Sequence, residues 1–288
     1  MATTDDSPTH TFGGSCRAAL NDGRALHYRI LENGSPTVVF ESGMGMSGSI
    51  WGLVAPAVAT QATTVVYNRA GTGRSDDDNQ PLTLEHAVSD LTQLLRQLPP
   101  PFILVGASWG GPIIRSLTAT KEFDVRGLVL VDQSDENAPE YFTPEAERRM
   151  ERTAPFTLTL ARLGLYRLAS RIGRAQPSDV YKDFRHNDFG TRAARTMGRE
   201  AHEFLPAMRR LQANPSRLEG VTVSVISGTK AGWIDKAQRP AINRAHRRTA
   251  EHLANGRFVE AQRSGHYVMF TEPELIVDEI ARVMRGIL

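Results

Sequence analysis

The sequence contains a single cysteine, Cys16, in 288 residues. One thiol forms no internal disulfide and supplies no structural zinc site, which excludes a disulfide scaffold and a zinc finger and makes a cytoplasmic location the expectation. Charge of one sign is equally scarce. With 34 basic against 32 acidic side chains the net charge is +2, so the chain as a whole has no general attraction for nucleic acid or an anionic membrane, and neither is expected as a partner. Residues 1–12 lack the basic and then apolar order of a signal peptide. The uncharged stretch 42–68 is long enough to span a bilayer, yet Gly43, Gly45, Gly48, Gly52 and Pro56 break it into a loop, a short helix and a strand. Internal repeats and low-complexity tracts are also missing.

What remains is ordinary globular material, 40% apolar and 23% charged. A chain of this length buries about three quarters of its unfolded surface and needs no covalent staple. Short β-branched runs at 25–31, 37–41, 64–67, 102–105, 127–131, 221–226 and 257–261 alternate with helical patterns, which predicts an α/β fold with a mostly parallel sheet. Most of these runs are continuously apolar, as strands covered on both faces are. Helices are expected at 49–60, 83–98, 110–119, 239–254 and 273–285. The clearest is 83–98, where Thr83 can cap, leucines recur at helical spacing and Pro99–Pro101 end the run. Between 136 and 217 the alternation stops, and helical pieces at 144–152, 158–172, 177–184 and 191–211 predict an inserted helical cap. The remainder, 13–135 and 218–288, would be the sheet core of one domain. An insertion at one end of the sheet covers the place where open α/β sheets bind ligands.

The sharpest chemical signal is the run from Phe102 to Ile114, an apolar strand, the G-x-S-x-G turn Gly106-Ala107-Ser108-Trp109-Gly110, and a helix. That context exposes Ser108 at the top of a sheet, with the following helix N-terminus favouring negative charge beside it. Side chains at Gly106 and Gly110 would clash across so sharp a turn. A serine nucleophile needs a base. Of eight histidines, His266 stands in Gly265-His266-Tyr267, after the last strand and before the last helix, again at a strand's carboxyl end. The Gly71-Thr72-Gly73 turn lacks the full phosphate-binding pattern and is followed by three aspartates, so it reads as a structural turn. No metal-ligand spacing is present and no cofactor is implied.

The ordered set Glu41-Ser42-Gly43-Met44-Gly45, Asn68 to Ser75, Gly106 to Gly110, Val131-Asp132 and Gly265-His266-Tyr267 resembles the α/β-hydrolase superfamily along nearly the whole chain. The resemblance implies Ser108 as nucleophile and His266 as base. It also implies an oxyanion hole made by the backbone N–H groups of Met44 and Trp109, with Ser42-Gly43 standing where many members have His-Gly. Most members carry their acid in a Gly-x-x-Asp after the strand represented by 221–226, and here Gly228-Thr229-Lys230-Ala231 has none. Haloalkane dehalogenases place it one strand earlier, which makes Asp132 the candidate, with Asp135, Asp235 or no acid as alternatives.

Residues 136–217 carry 14 Arg and one Lys against ten acids, mostly as solvated helix surface, although one or two arginines could face the pocket. Apolar residues there suggest a hydrophobic pocket, with Gly43, Met46, Phe156, Tyr166, Phe189 and Tyr267 as expected substrate contacts. The function this implies is hydrolysis of a carboxylic ester or lactone of a small molecule through an acyl-enzyme. Epoxide hydrolases and dehalogenases of the fold use Asp where Ser108 stands. Lyase, acyl-transfer, cyclase or oxygenase chemistry, or ligand binding without turnover, are the alternatives; the oligomeric state is not legible.

Overall fold

The fold is described from a computed structural model covering residues 10–232 and 238–286. β1 (Gly14–Ala19) and β2 (Ala25–Leu31) form an antiparallel hairpin. Its turn is closed by Leu20 N–H to Arg24 C=O at 2.8 Å. β1 is a strand that composition does not announce: its residues are partly exposed and lack an apolar run, so pairing with β2 defines it. β3 (Thr37–Glu41) is followed by a 3₁₀ turn (Gly48–Trp51), the short α1 (Ala55–Val58) and β4 (Thr63–Tyr67). The uncharged 42–68 stretch is thus loop, turn, helix and strand. No helix among the described residues is long and apolar enough to cross a membrane.

The chain continues through α2 (Leu84–Leu95), β5 (Phe102–Ala107), α3 (Gly110–Ala119) and β6 (Val125–Val131). Thr83 caps α2 by accepting the His86 N–H at 3.1 Å, which satisfies one of the unpaired donors of the first turn. The helix ends ahead of the three prolines. After β6 come α4 (Pro144–Arg162), a 3₁₀ segment (Leu165–Gly173), α5 (Ser178–Asn187) and α6 (Thr191–Ala213). The expected pieces 144–152 and 158–172 are redistributed. α4 runs on through Pro155 to Arg162, and the chain then breaks at Gly164, which has φ +74°. β7 (Thr222–Gly228), α7 (Arg239–His252), β8 (Gly256–Ala261), α8 (Val268–Thr271) and α9 (Pro273–Arg285) complete the fold.

The eight strands lie in the order β1-β2-β4-β3-β5-β6-β7-β8, parallel from β4 to β8. Alternate side chains of the central strands feed two cores. Val39, Leu104, Leu128 and Val223 share one core with α2, α3 and α7, while Val38, Phe40, Ile103, Val105 and Val129 share the other with α1 and α9. This two-sided burial is why the runs read as continuously apolar. Fully burying each such side chain is worth about 1.5–3 kcal/mol.

The insertion docks on loops at the carboxyl ends of the parallel strands. Arg192 of α6 donates to the carbonyls of Gly73 at 2.7 Å and Ser75 at 2.6 Å, and Gln176 accepts from Gly52 N–H at 3.0 Å. The end of the sheet where ligands bind in such folds is therefore roofed by helices.

Candidate active site

β5 ends in the turn that holds Ser108 at φ +51°. A side chain pays about 1–2 kcal/mol for such a conformation, so the surroundings must impose it. Gly106 and Gly110 are the reason it can form. A Cβ on Gly106 would meet Gly110 backbone at 2.8 Å, and one on Gly110 would meet the carbonyls of Glu41 and Ser42 at 2.9 Å. Ser108 N–H donates to Val131 C=O at 3.1 Å and Ser108 C=O accepts from Ser134 N–H at 2.9 Å, locking the turn to the loop after β6. Asp132 heads that loop, also at positive φ, +41°. Two of the three non-glycine residues with positive φ among the described residues are thus Ser108 and Asp132. Backbone strain of this kind clusters at functional sites.

His266, in the loop between β8 and α8, bonds through Nδ1 to Asp132 Oδ2 at 2.7 Å. The Asp132 carboxylate also accepts from Gly228 N–H at 3.0 Å and from Arg239 Nη1 at 2.8 and 2.9 Å. Burial pushes this carboxyl up, but the His266 hydrogen bond and the positive potential around the carboxylate, to which Arg239 contributes its charge, outweigh it and hold the group at about 2. An ionised carboxylate only accepts, so His266 carries its proton on Nδ1 and leaves Nε2 as a base. His246, fully buried, reads similarly. Its Nε2 donates to the Gln133 carbonyl at 2.8 Å, and its Nδ1 accepts from the Ser227 hydroxyl at 2.7 Å.

Ser108, Asp132 and His266 border one cavity of about 660 Å³. Its walls also include Gln133, Tyr141, Ile172, Ile242 and Tyr267. The Ser108 hydroxyl takes no hydrogen-bond partner among the described residues, and the same holds for the backbone N–H groups of Met44 and Trp109. The loop after β3 lies against Ser108, since a Cβ on Gly43 would reach Ser108 Cβ at 3.4 Å. Gly43 C=O accepts from Arg69 Nη2 at 2.8 Å and from Met46 N–H at 3.1 Å. In a trans peptide the N–H points opposite to the C=O, so these bonds turn Met44 N–H away from Arg69.

Arg69 is the hub of a buried network that sequence reading missed. It also donates to Ser42 C=O at 2.6 Å, to Glu41 at 2.5 Å and to Glu200 of α6 at 2.8 Å. Tyr67 donates its hydroxyl to the second Glu41 oxygen, and Glu200 accepts Gly45 N–H at 2.6 Å. Burial alone would drive the Arg69 proton off, but the Glu200 and Glu41 charges raise its affinity instead. A charged residue ending the all-buried strand Thr37–Glu41 was the available signal, because a buried carboxylate requires a partner. Arg239 had no comparable signal in the sequence.

Several expected substrate contacts lie elsewhere. Phe156 is 64% exposed on α4 and is not part of the cavity lining. Met46, Tyr166 and Phe189 pack into the core instead, with Tyr166 on Phe189 at 5.1 Å and Phe189 on Phe184 at 4.9 Å. Tyr166 and Phe189 belong to a core that the insertion shares with the sheet, and helical periodicity alone does not distinguish that role from pocket lining. Trp109 likewise buries its ring against Phe204 at 5.6 Å. Of the alternative acids, Asp135 bonds to Thr249 at 2.6 Å and to Asn137 N–H at 2.9 Å, away from His266; Asp235 lies outside the described residues. Asp78, His86 and Asp90 cluster closely enough to hold a metal ion. Arg24 crosses that cluster, pairing with Asp78 and Asp90 at 2.8 Å each, so a positive charge already stands between the carboxylates.

The profile of the alpha/beta hydrolase family matches residues 38–279, a span that holds the Ser108 turn, Asp132 and His266 together. The chain belongs to the alpha/beta hydrolase family. A curated relative of this alpha/beta hydrolase, the uncharacterized protein YqjL of Bacillus subtilis, is 31% identical over 114 residues, 38% of this chain and 45% of that protein. The aligned part thus spans less than half of the relative. The solved epoxide hydrolase CorEH superposes with a TM-score of 0.71 at 17% identity, covering 95% of this chain and 99% of that one. A thermophilic esterase from Thermogutta terrifontis matches with the same score and identity over 94% and 98%. At such identities the likeness is one of fold.

Proposed function

We propose that this hydrolase cleaves a carboxylic ester or lactone through an acyl-enzyme on Ser108. The observation that carries the reading is the Asp132–His266 hydrogen bond beside a serine held at positive φ on the same cavity. His266 Nε2 takes the Ser108 proton as Oγ attacks the ester carbonyl, and Asp132 stabilises the imidazolium. The oxyanion settles on the Met44 and Trp109 N–H groups, each such donor being worth about 2.7–4 kcal/mol in the transition state. Collapse releases the alkoxide, protonated by His266 Nε2–H. Water then attacks the acyl carbon, giving its proton to His266; the acyl–Oγ bond breaks as His266 returns that proton to Ser108, and the acid leaves.

A serine nucleophile favours ester chemistry over epoxide opening or dehalogenation, which the fold runs with an aspartate at this position. The cavity's Tyr141, Ile172, Ile242 and Tyr267 suit a medium-sized hydrophobic group. Incubation with a panel of esters of rising chain length and with lactones, in the presence of hydroxylamine, tests the reading. Hydroxamate formation that requires Ser108 is expected, and turnover of no ester or lactone would overturn it.

A further inference from the structure

All the large hydrophobic side chains that stand exposed among the described residues lie on the insertion or at the cavity mouth. Phe156, Leu163, Leu165, Leu168, Ile172 and Tyr267 are between 40% and 67% exposed. Four of them fall within ten residues. Leu163 and Leu165 flank the left-handed turn at Gly164, and the 3₁₀ segment Leu165–Gly173 follows. Residues three apart eclipse in a 3₁₀ helix, so Leu165 and Leu168 stack on one outward row that continues into Arg171 and Arg174. Ile172, in the same segment, lines the cavity, as Tyr267 does. The apolar row and the cavity mouth are therefore carried by one element.

Charge decides what this surface suits. Residues 152–178 hold five arginines and no acidic residue. Arg162, Arg167 and Arg171 are exposed and make no ion pair among the described residues. A symmetric contact with a second copy would press this arginine-bearing patch against itself, and like charges so placed repel. A planar anionic surface with an apolar interior satisfies both features at once: leucines enter the acyl boundary while arginines meet headgroups. A net charge of +2 carries no such attraction over the whole molecule; here the charge is concentrated beside exposed leucines.

We infer that residues 162–174 form a docking surface for an anionic lipid interface, seating the cavity mouth at Ile172 and Tyr267 on that interface. Docking itself is independent of the proposed ester chemistry; the corollary that substrate enters from the interface rests on it. The test is flotation of the purified protein with phosphatidylcholine vesicles and with vesicles that also contain phosphatidylglycerol. Binding to the anionic vesicles only, weakened by added salt, is expected of both the wild type and Ser108→Ala. Arg167→Gln with Arg171→Gln should weaken it by about fivefold per arginine, and Leu165→Ser with Leu168→Ser should abolish it while circular dichroism stays unchanged. Equal affinity of these variants, no flotation with anionic vesicles, or dimerisation through this face without vesicle binding would each overturn the inference. Because no turnover is read, hydrolytic failure and docking failure are separate results.

Discussion

Asp132→Asn separates geometry from chemistry at this site. The carboxamide oxygen of the variant would stay on Gly228 N–H and Arg239, which only donate to that position at 3.0 and 2.8 Å in the wild type. The amide NH₂ must then face His266 Nδ1, where Asp132 Oδ2 now accepts at 2.7 Å. A donor there forces the His266 proton onto Nε2, so the base meets Ser108 with a hydrogen instead of a lone pair. The tautomer change in a triad of this kind lowers kcat by about 10⁴, or about 5.5 kcal/mol of barrier. Stability falls as well, because a buried ion pair stripped of one charge costs about 3–5 kcal/mol. A domain stable by about 5–15 kcal/mol can lose that much, so folded fraction is measured by circular dichroism and kcat is expressed per folded molecule. Asp135→Asn is the control: Asp135 bonds to Thr249 and Asn137, and its substitution should leave kcat within a few fold. Asp132→Asn with kcat within tenfold of wild type, in folded protein, would refute the assignment.

Two other expectations come from buried groups on the insertion. Glu200→Gln removes the charge opposite Arg69 and weakens the hold on Gly45 N–H; kcat should fall by about tenfold or more with KM little changed, since part of an oxyanion donor's stabilisation is lost. An unchanged kcat, with only a lower Tm, would confine Glu200 to a packing role. Asp188 is pushed up to about 7 by burial, against the opposing hydrogen bonds from Ser47. Its folded pKa lies above the unfolded value, so the folded state holds the extra proton and stability declines as pH rises from about 4 to 7. Chemical denaturation across that window should show Asp188→Asn gaining on the wild type by about 4 kcal/mol at most, and a constant difference would contradict it.

The parallel strands were legible because burial on both faces leaves an uninterrupted apolar run, as in Phe102–Ala107. β1 was not, since GSCRAA is half exposed and depends on its hairpin partner. Ser108 and His266 announce themselves through local context, a strand-turn-helix and a loop after a strand. Asp132 was legible only through family resemblance, one strand ahead of the usual position, and the structure places it on His266. Arg239 and Glu200 escaped because their meaning lies in partners 107 and 131 residues away. Phe156 and Phe189 show the converse limit. Phe156 stands exposed on α4, while Phe189 lies in the bend between α5 and α6 and is packed on Tyr166 and Phe184, a difference that residue type alone does not carry.

The central claim is that Ser108 is the nucleophile. Incubating the protein with a fluorophosphonate, digesting it and locating the adduct by mass spectrometry tests that directly. One adduct on the peptide containing Ser108, absent from Ser108→Ala and slowed in Asp132→Asn, is the predicted result; labelling that persists in folded Ser108→Ala would contradict the account.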